Sequence, residues 1–336
     1  MNKSTFWILT ITICASLLTI VTLLPHDPYL RYQALNIGTY SKAKWLYERS
    51  VFDSTPVDIA FIGTSHTLNA VDSVIIEKTI NTNTSQFKHV VNFAIPHFGR
   101  DMHKLITKLL IENKQPEVIL IEIRESEERD QHPASHYLAD SNDLLNAPLL
   151  INKRFAGNLI RLPLRQSTLF MQSNIPQLFG KTLGFKFSDY WGPHLNFTTQ
   201  FPGGRLRDQV RTKVELEKSV DEWVKLNAFK LKRDNSVRNY LYFNANWSNL
   251  KSTVELAKSK GVKVYFTYLP NYGAKDKPID HILYERIAPI LYPKDSTIFN
   301  NPNYWADLGH LNGEGATAYS YNISNMLNER LELDQK

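Results

Sequence analysis

The chain has 336 residues, 43% of them hydrophobic and 21% charged, a balance that excludes a disordered polymer and supplies the core of one large α/β domain with an insertion. Lys and Arg outnumber Asp and Glu by 39 to 33, for a formal net charge of +6, yet no dense basic run or nucleic-acid motif accompanies the excess, so nucleic acid is not an expected partner. The excess suits a basic face beside an anionic membrane or glycan, or ordinary solvated surface. The single cysteine, Cys14, excludes an internal disulfide framework.

The first element is an apolar run from Phe6 to Leu24, 19 residues without a charge. As a helix it spans roughly 28 Å, about one hydrocarbon thickness. Lys3 precedes it, Pro25 ends it and no small-x-small cleavage site follows, the pattern of an uncleaved signal-anchor. Arg31, Lys42 and Lys44 beyond it compete with Lys3 in the positive-inside count. The expected topology is a single-pass membrane protein, residues 1–25 the anchor and 26–56 a linker, with the body on the extracytoplasmic (periplasmic or cell-surface) side.

From residue 57 short β-rich runs alternate with helical ones, the sequence form of an α/β fold around a parallel sheet. Val57 to Ile62 reads as the first strand and His89 to Phe93 as the second. A helix over about Arg100 to Glu112 follows, with Leu105, Ile106, Leu109 and Leu110 on one face. Val118 to Ile123 reads as the third strand. A helix from about Trp247 to Lys260, stopped by Gly261, leads to a fourth over Val262 to Phe266. A short fifth is expected near Thr297 to Phe299, and the last helix takes Asn312 as its N-cap. The body is thus expected as 57–130 and 237–332, with 131–236 inserted as a cap. The middle of the insertion carries Phe179, Phe185, Phe187, Tyr190, Trp191, Phe197 and Phe201, either core or a saccharide platform. A helix near Val214 to Lys232, with Val220, Trp223 and Val224 inward, returns the chain to the sheet.

Ligands of open parallel sheets gather at the carboxyl ends of the strands, and there the chemistry-bearing residues fall. Ser65 follows the first strand, the Asn92 to Gly99 loop the second, Arg124 the third, and Asp307 with His310 precede the last helix. A serine alcohol, an imidazole to take its proton and a carboxylate to orient that imidazole are the parts of a covalent acyl-transfer site. The three-residue spacing of Asp307 and His310 lets them meet within one turn. The Ser65 N–H is one expected oxyanion donor and an N–H of the Ala94 to Gly99 loop the second.

Plainer readings stand beside these. Ser65 can cap a helix, Asp307 can close an Asx-turn and His310 can be a turn histidine. Arg124 can bind an anionic group or pair with Glu125, Glu127 or Glu128. His66 is expected at the rim, touching substrate or backbone. Neither His97 with His103 nor His132 with His136 has a third ligand nearby in the sequence, so neither a metal centre nor a cofactor is expected.

Gly63-Thr64-Ser65-His66, Asn92-Phe93-Ala94 and Asp307-Leu308-Gly309-His310-Leu311-Asn312, in this order, resemble the SGNH, or GDSL-like, superfamily of serine esterases and acyltransferases. The resemblance implies a three-layer, flavodoxin-like parallel sheet and a Ser65–His310–Asp307 triad, with Ala94, Gly99, Arg124 and His66 around the oxyanion and substrate. The chain departs from the hydrolases in offering Ala94 where they have Gly, and Glu122-Ile123-Arg124-Glu125-Ser126, with no Asn, where they have Asn. With the single membrane segment and the long insertion, that pattern is more similar to the membrane-anchored transferase branch, such as the D-alanyl transfer protein of teichoic acid modification and the alginate acetylation proteins. That branch implies an acyl donor, an envelope glycan acceptor and a multi-spanning membrane acyltransferase as a possible partner. The alternatives are an esterase or deacetylase of the same fold, and a non-catalytic, membrane-tethered glycan-binding subunit.

Overall fold

Short runs of β-branched and aromatic residues build a five-stranded parallel sheet in the computed structural model: β1 (Ile59–Ile62), β2 (Val90–Asn92), β3 (Val118–Ile123), β4 (Lys263–Tyr268) and β5 (Ile290–Leu291), in the order β2-β1-β3-β4-β5. The structure describes residues 2–35, 38–82, 86–125, 127–128, 130–147, 152–195, 208–231 and 236–333. Every residue of β1, β2 and β3 is buried, which is why these strands read as continuous apolar runs rather than alternating ones.

Around the sheet run α1 (Ser65–Ala70), α2 (Ser73–Asn81), α3 (Arg100–Asn113), α4 (Lys213–Leu231), α5 (Ser236–Ser259) and α6 (Gly313–Leu333). Helix α3 packs against α5, and α6 against α1 and α2. Ile59, Phe61, Val118 and Leu120 of the strands meet Ile76, Ile80, Tyr319, Ile323 and Leu327 of the helices in one buried cluster. Asn312 caps α6 as its position predicts, its Oδ1 accepting the Gly315 N–H at 3.0 Å.

Several expectations change. Thr297 to Phe299 is not a strand: Ser296–Phe299 forms a 3₁₀ turn because the Asp295 carboxylate accepts the Thr297 N–H at 3.0 Å. The fifth strand is instead the two-residue Ile290–Leu291, paired with Phe266 and Thr267, too short to leave a readable period. Helix α5 begins at Ser236 rather than near Trp247. On α4 the inward face runs through Leu216 and Val220, while Val224 is exposed.

By contact, the chain forms two units, Met1–Glu48 with Asp130–Tyr190, and Arg49–Arg129 with Trp191–Lys336. The sheet and helices α1 to α6 all belong to the second. The unit boundaries therefore differ from those expected: the sheet unit resumes at Trp191, and α4 is part of it. In the first unit, part of the stretch expected as a linker is helical, over Tyr29–Gln33 and Lys42–Tyr47. Its aromatic residues give it a core of its own: the Tyr47 ring lies 5.5 Å from that of Tyr29 and 4.6 Å from that of Tyr32, and Tyr29 Oη donates to Glu48 Oε1 at 2.5 Å. Phe155–Asn174 is a second long helix of this unit, beside the N-terminal one. Phe179 and Phe187 of the insertion are exposed; Phe197 and Phe201 lie outside the described residues. The N-terminal helix Lys3–Thr22 has no buried residue and contains an 18-residue stretch of mean hydropathy 2.0, so it is long and apolar enough to cross a membrane.

Candidate active site

The turn after β1 is built around a buried carboxylate. Glu122 of β3 is fully buried and accepts the Thr64 N–H at 2.7 Å, the Thr64 hydroxyl at 2.8 Å, the Thr67 N–H at 3.1 Å and the Thr67 hydroxyl at 2.6 Å. Such charge-assisted bonds are the strong ones, and here they clamp the residues on both sides of Ser65. Gly63 admits this approach: a Cβ there would sit 2.1 Å from Thr67 Oγ1 and 2.5 Å from Glu122 Oε2. The His66 N–H is taken by Thr64 Oγ1 at 3.1 Å, and Asn69 Nδ2 donates to the Ser65 carbonyl at 2.6 Å. The Ser65 N–H keeps no partner among the described residues and stays available to a ligand oxygen.

The second half of the site is a turn pinned at its base. Trp305 and Leu311 form an antiparallel bridge, Ala306 N–H donates to the His310 carbonyl at 2.9 Å and Tyr272 N–H to that of Leu308 at 2.8 Å. Within the turn Asp307 Oδ1 accepts the Gly309 and His310 N–H groups, each at 2.9 Å. His310 Nδ1 lies 2.9 Å from both Asp307 oxygens, and His310 Nε2 lies 2.8 Å from Ser65 Oγ. Burial pushes the Asp307 carboxyl up, but the hydrogen bond and charge of His310 and the two backbone N–H groups outweigh it and hold the carboxyl below its ordinary range. An ionised Asp307 makes Nδ1 the protonated nitrogen of His310, leaving the Nε2 lone pair for the Ser65 hydroxyl. Asp307 is thus an Asx-turn residue and the partner of the imidazole at once.

The structure therefore brings Ser65, His310 and Asp307 into one hydrogen-bonded line across 245 residues of sequence, while the surrounding positions divide. His66 is not a rim residue: it is 6% exposed, edge to face with His310 at 5.3 Å between ring centroids, behind a turn in which a Cβ on Gly309 would lie 2.9 Å from its Nε2. Burial first, then the charges of Arg124 and His310, push the His66 pKa well below its ordinary value, so the ring is neutral. Ala94 is not a free donor. Its N–H is given to Asn92 Oδ1 at 3.0 Å, while Asn92 Nδ2 serves the Thr67 and Val71 carbonyls at 3.0 and 2.9 Å; the asparagine folds back on its own strand end and closes the loop. Gly99 is buried and receives the Met102 and His103 N–H groups on its carbonyl at 3.1 and 3.3 Å, so its visible role is to start α3.

Arg124 is partly buried and has no ion pair or hydrogen bond among the described residues. Two of the acids expected to hold it are otherwise engaged, Glu127 by Arg100 Nε at 2.8 Å and Glu125 by the Asn271 N–H at 2.5 Å. Two residues of the site escaped sequence reasoning. Glu122 is the one charged residue of an otherwise apolar strand, and that lone carboxylate was the available signal. Asn271, beyond β4, brings its side-chain amide to the same turn, Oδ1 lying 3.5 Å from where a Gly309 Cβ would be; no local pattern marks it.

Searches of protein-family models and of curated proteins return no match to this chain. Chemically, the arrangement offers a hydroxyl within hydrogen-bonding distance of an imidazole that a carboxylate orients and, among the described residues, a backbone N–H and a guanidinium without partners at the end of a strand.

Proposed function

We propose that this chain is a membrane-tethered serine acyltransferase with an SGNH-like, three-layer fold, moving a small acyl group on an envelope polysaccharide or glycan through an acyl-Ser65 intermediate. The observation that carries this reading is the unbroken line from Ser65 Oγ through His310 to Asp307. Ser65 Oγ attacks the donor carbonyl as its proton passes to His310 Nε2, and Asp307 stabilises the imidazolium. The oxyanion is met by the Ser65 N–H, with the Arg124 guanidinium supplying positive charge at the same rim. Collapse breaks the bond to the leaving group, which takes the proton from His310; an acceptor hydroxyl then gives its proton to Nε2 as it attacks the acyl-serine, and Ser65 is regenerated. The N-terminal helix would keep this cycle at a membrane surface, where a multi-spanning acyltransferase can feed it.

The test is covalent labelling of the full chain in detergent micelles with a serine-reactive fluorophosphonate, mapped by mass spectrometry. One adduct on Ser65, absent from His310→Ala, is the expected result. No adduct under any condition would instead favour a glycan-binding subunit without turnover. Release of the acyl group to water, with every hydroxyl acceptor ignored, would assign the chain to the esterases.

A further inference from the structure

Outside the triad, three ligating side chains come together in the sheet unit. Glu77 lies on α2, His89 immediately precedes β2, and His194 follows Gly192 and Pro193. His89 Nδ1 is 3.8 Å from Glu77 Oε2, His194 Nε2 is 3.6 Å from Glu77 Oε1, and one ligand atom from each of the three lies within 4.8 Å of the others. We propose that Glu77, His89 and His194 bind a divalent transition-metal ion of the zinc class.

The spacing is the first argument. At 3.6 and 3.8 Å the imidazoles are beyond hydrogen-bonding distance of the carboxylate, and His89 Nδ1 is buried with no hydrogen-bond partner. A tetrahedral zinc ion with ligands at about 2.0–2.1 Å sets them about 3.3 Å apart, a few tenths of an ångström inside the two gaps between the histidines and Glu77. The donor set is the second. Two imidazoles and one carboxylate suit zinc and its neighbours, whereas magnesium and calcium take oxygen shells. Three protein ligands also leave the fourth position to water or an exchangeable ligand.

The third argument is that the Glu77 carboxylate and the backbone at the two histidines are held in place. Glu77 Oε2 accepts the Val90 N–H at 2.9 Å, and the His89 N–H donates to Asp58 Oδ2 at 2.6 Å. The Pro193 carbonyl, next to His194, takes Arg49 Nε at 3.1 Å. That arginine is itself fully buried and anchored on the Thr55 and Pro56 carbonyls at 2.7 and 2.6 Å. His89 precedes its strand while Ser65 follows its own, so this site lies at the opposite rim of the sheet from the triad. A metal there clips the edge strand to the chain re-entering the sheet unit near residue 191, closing a long loop; such closures are the ones a clip stabilises most.

The experiment uses the full chain in detergent micelles, stripped with EDTA. Zinc is titrated by calorimetry and cobalt by visible absorption, with melting curves of the metal-free and zinc-loaded forms. Expected are one ion per chain with a Kd of about 1 μM or tighter, tetrahedral cobalt bands, and a melting temperature that rises with zinc. Glu77→Gln and His194→Asn should each weaken binding by at least about tenfold and abolish the rise, while Ser65→Ala keeps all three properties, so that loss of the metal and loss of the acyl-serine are read separately. Absence of binding, or an affinity unchanged in Glu77→Gln and His194→Asn and hence an adventitious ion only, overturns the proposal. Should either variant melt early without metal, the cobalt spectrum of the unaltered chain decides: octahedral, weakly coloured cobalt also overturns it.

Discussion

At the C-terminal rim of the sheet, His310 lies 2.9 Å from Asp307 and 2.8 Å from Ser65; at the N-terminal rim, His89 and His194 lie 3.8 and 3.6 Å from Glu77. The side chains are of the same kinds, and the spacing separates what they can do. Direct contact fixes a tautomer and aims a lone pair at a hydroxyl, as proton transfer requires. A gap of nearly 4 Å between the same groups carries no hydrogen bond and is the room a small cation occupies. The contact pair is locked by the Gly309 and His310 amides within a single turn, whereas the spaced cluster needs His194, 105 positions beyond His89.

The largest effect expected from breaking the contact side is that of Asp307→Asn. An amide favours the wrong imidazole tautomer, so the rate of acyl-Ser65 formation should fall by about 10⁴-fold, measured as adduct formation under pseudo-first-order conditions. The matched change at the other rim, Glu77→Gln, should leave that rate alone. A near-normal rate in Asp307→Asn would reduce Asp307 to a turn cap and erase the contrast between the rims.

A third carboxylate sharpens the comparison, because Glu122 is in full contact yet faces no imidazole. Replacing it by Gln removes the charge and turns one acceptor into a donor facing Thr64 and Thr67. We expect a loss of about 1.5–3 kcal/mol, read from denaturant unfolding, with a slower labelling rate because the Ser65 turn loosens. An unaltered midpoint would mean that the four bonds to Glu122 contribute little.

The smallest effect is one of pH. His66 is held well below its ordinary value of 6.5, so near pH 6.5 the unfolded chain takes the proton first. The stability this neutral ring represents is complete above pH 6.5 and is lost as pH falls toward the lower pKa of the folded state, by at most about 1.4 kcal/mol per pH unit. Melting temperatures taken from pH 7.5 down to pH 5, at intervals of roughly half a unit, should drop more steeply in the unaltered chain than in His66→Gln. Parallel curves would show that His66 does not titrate on unfolding.

Much of this molecule was legible in local pattern. The strand Val118 to Ile123 has the limits its apolar run predicts, α3 starts at the expected Arg100, and Asn312 caps the helix that follows it. Each is decided by periodicity or by a bond between residues a few positions apart, and such signals survive in a linear reading. The Asp307–His310 pairing belongs with them, since it closes within one turn.

Other features depended on which residues meet across the fold. Ala94 reads as a donor in the sequence, but its N–H is given to Asn92; His66 reads as a rim residue, but it lies buried behind His310; and Arg124 has no partner among the described residues, with Glu127 and Glu125 held by Arg100 and Asn271. The cluster of Glu77, His89 and His194 spans 117 positions with no motif at all. By itself the sequence determined the first four strands, the Asn312 cap and the residue types able to do chemistry at the sheet's rim, because these follow from covalent neighbours and their short-range bonds. Only the tertiary structure decided which amides are spent, which charges are paired and which ligands face one another, because each of those outcomes is set by a partner that chain connectivity does not name.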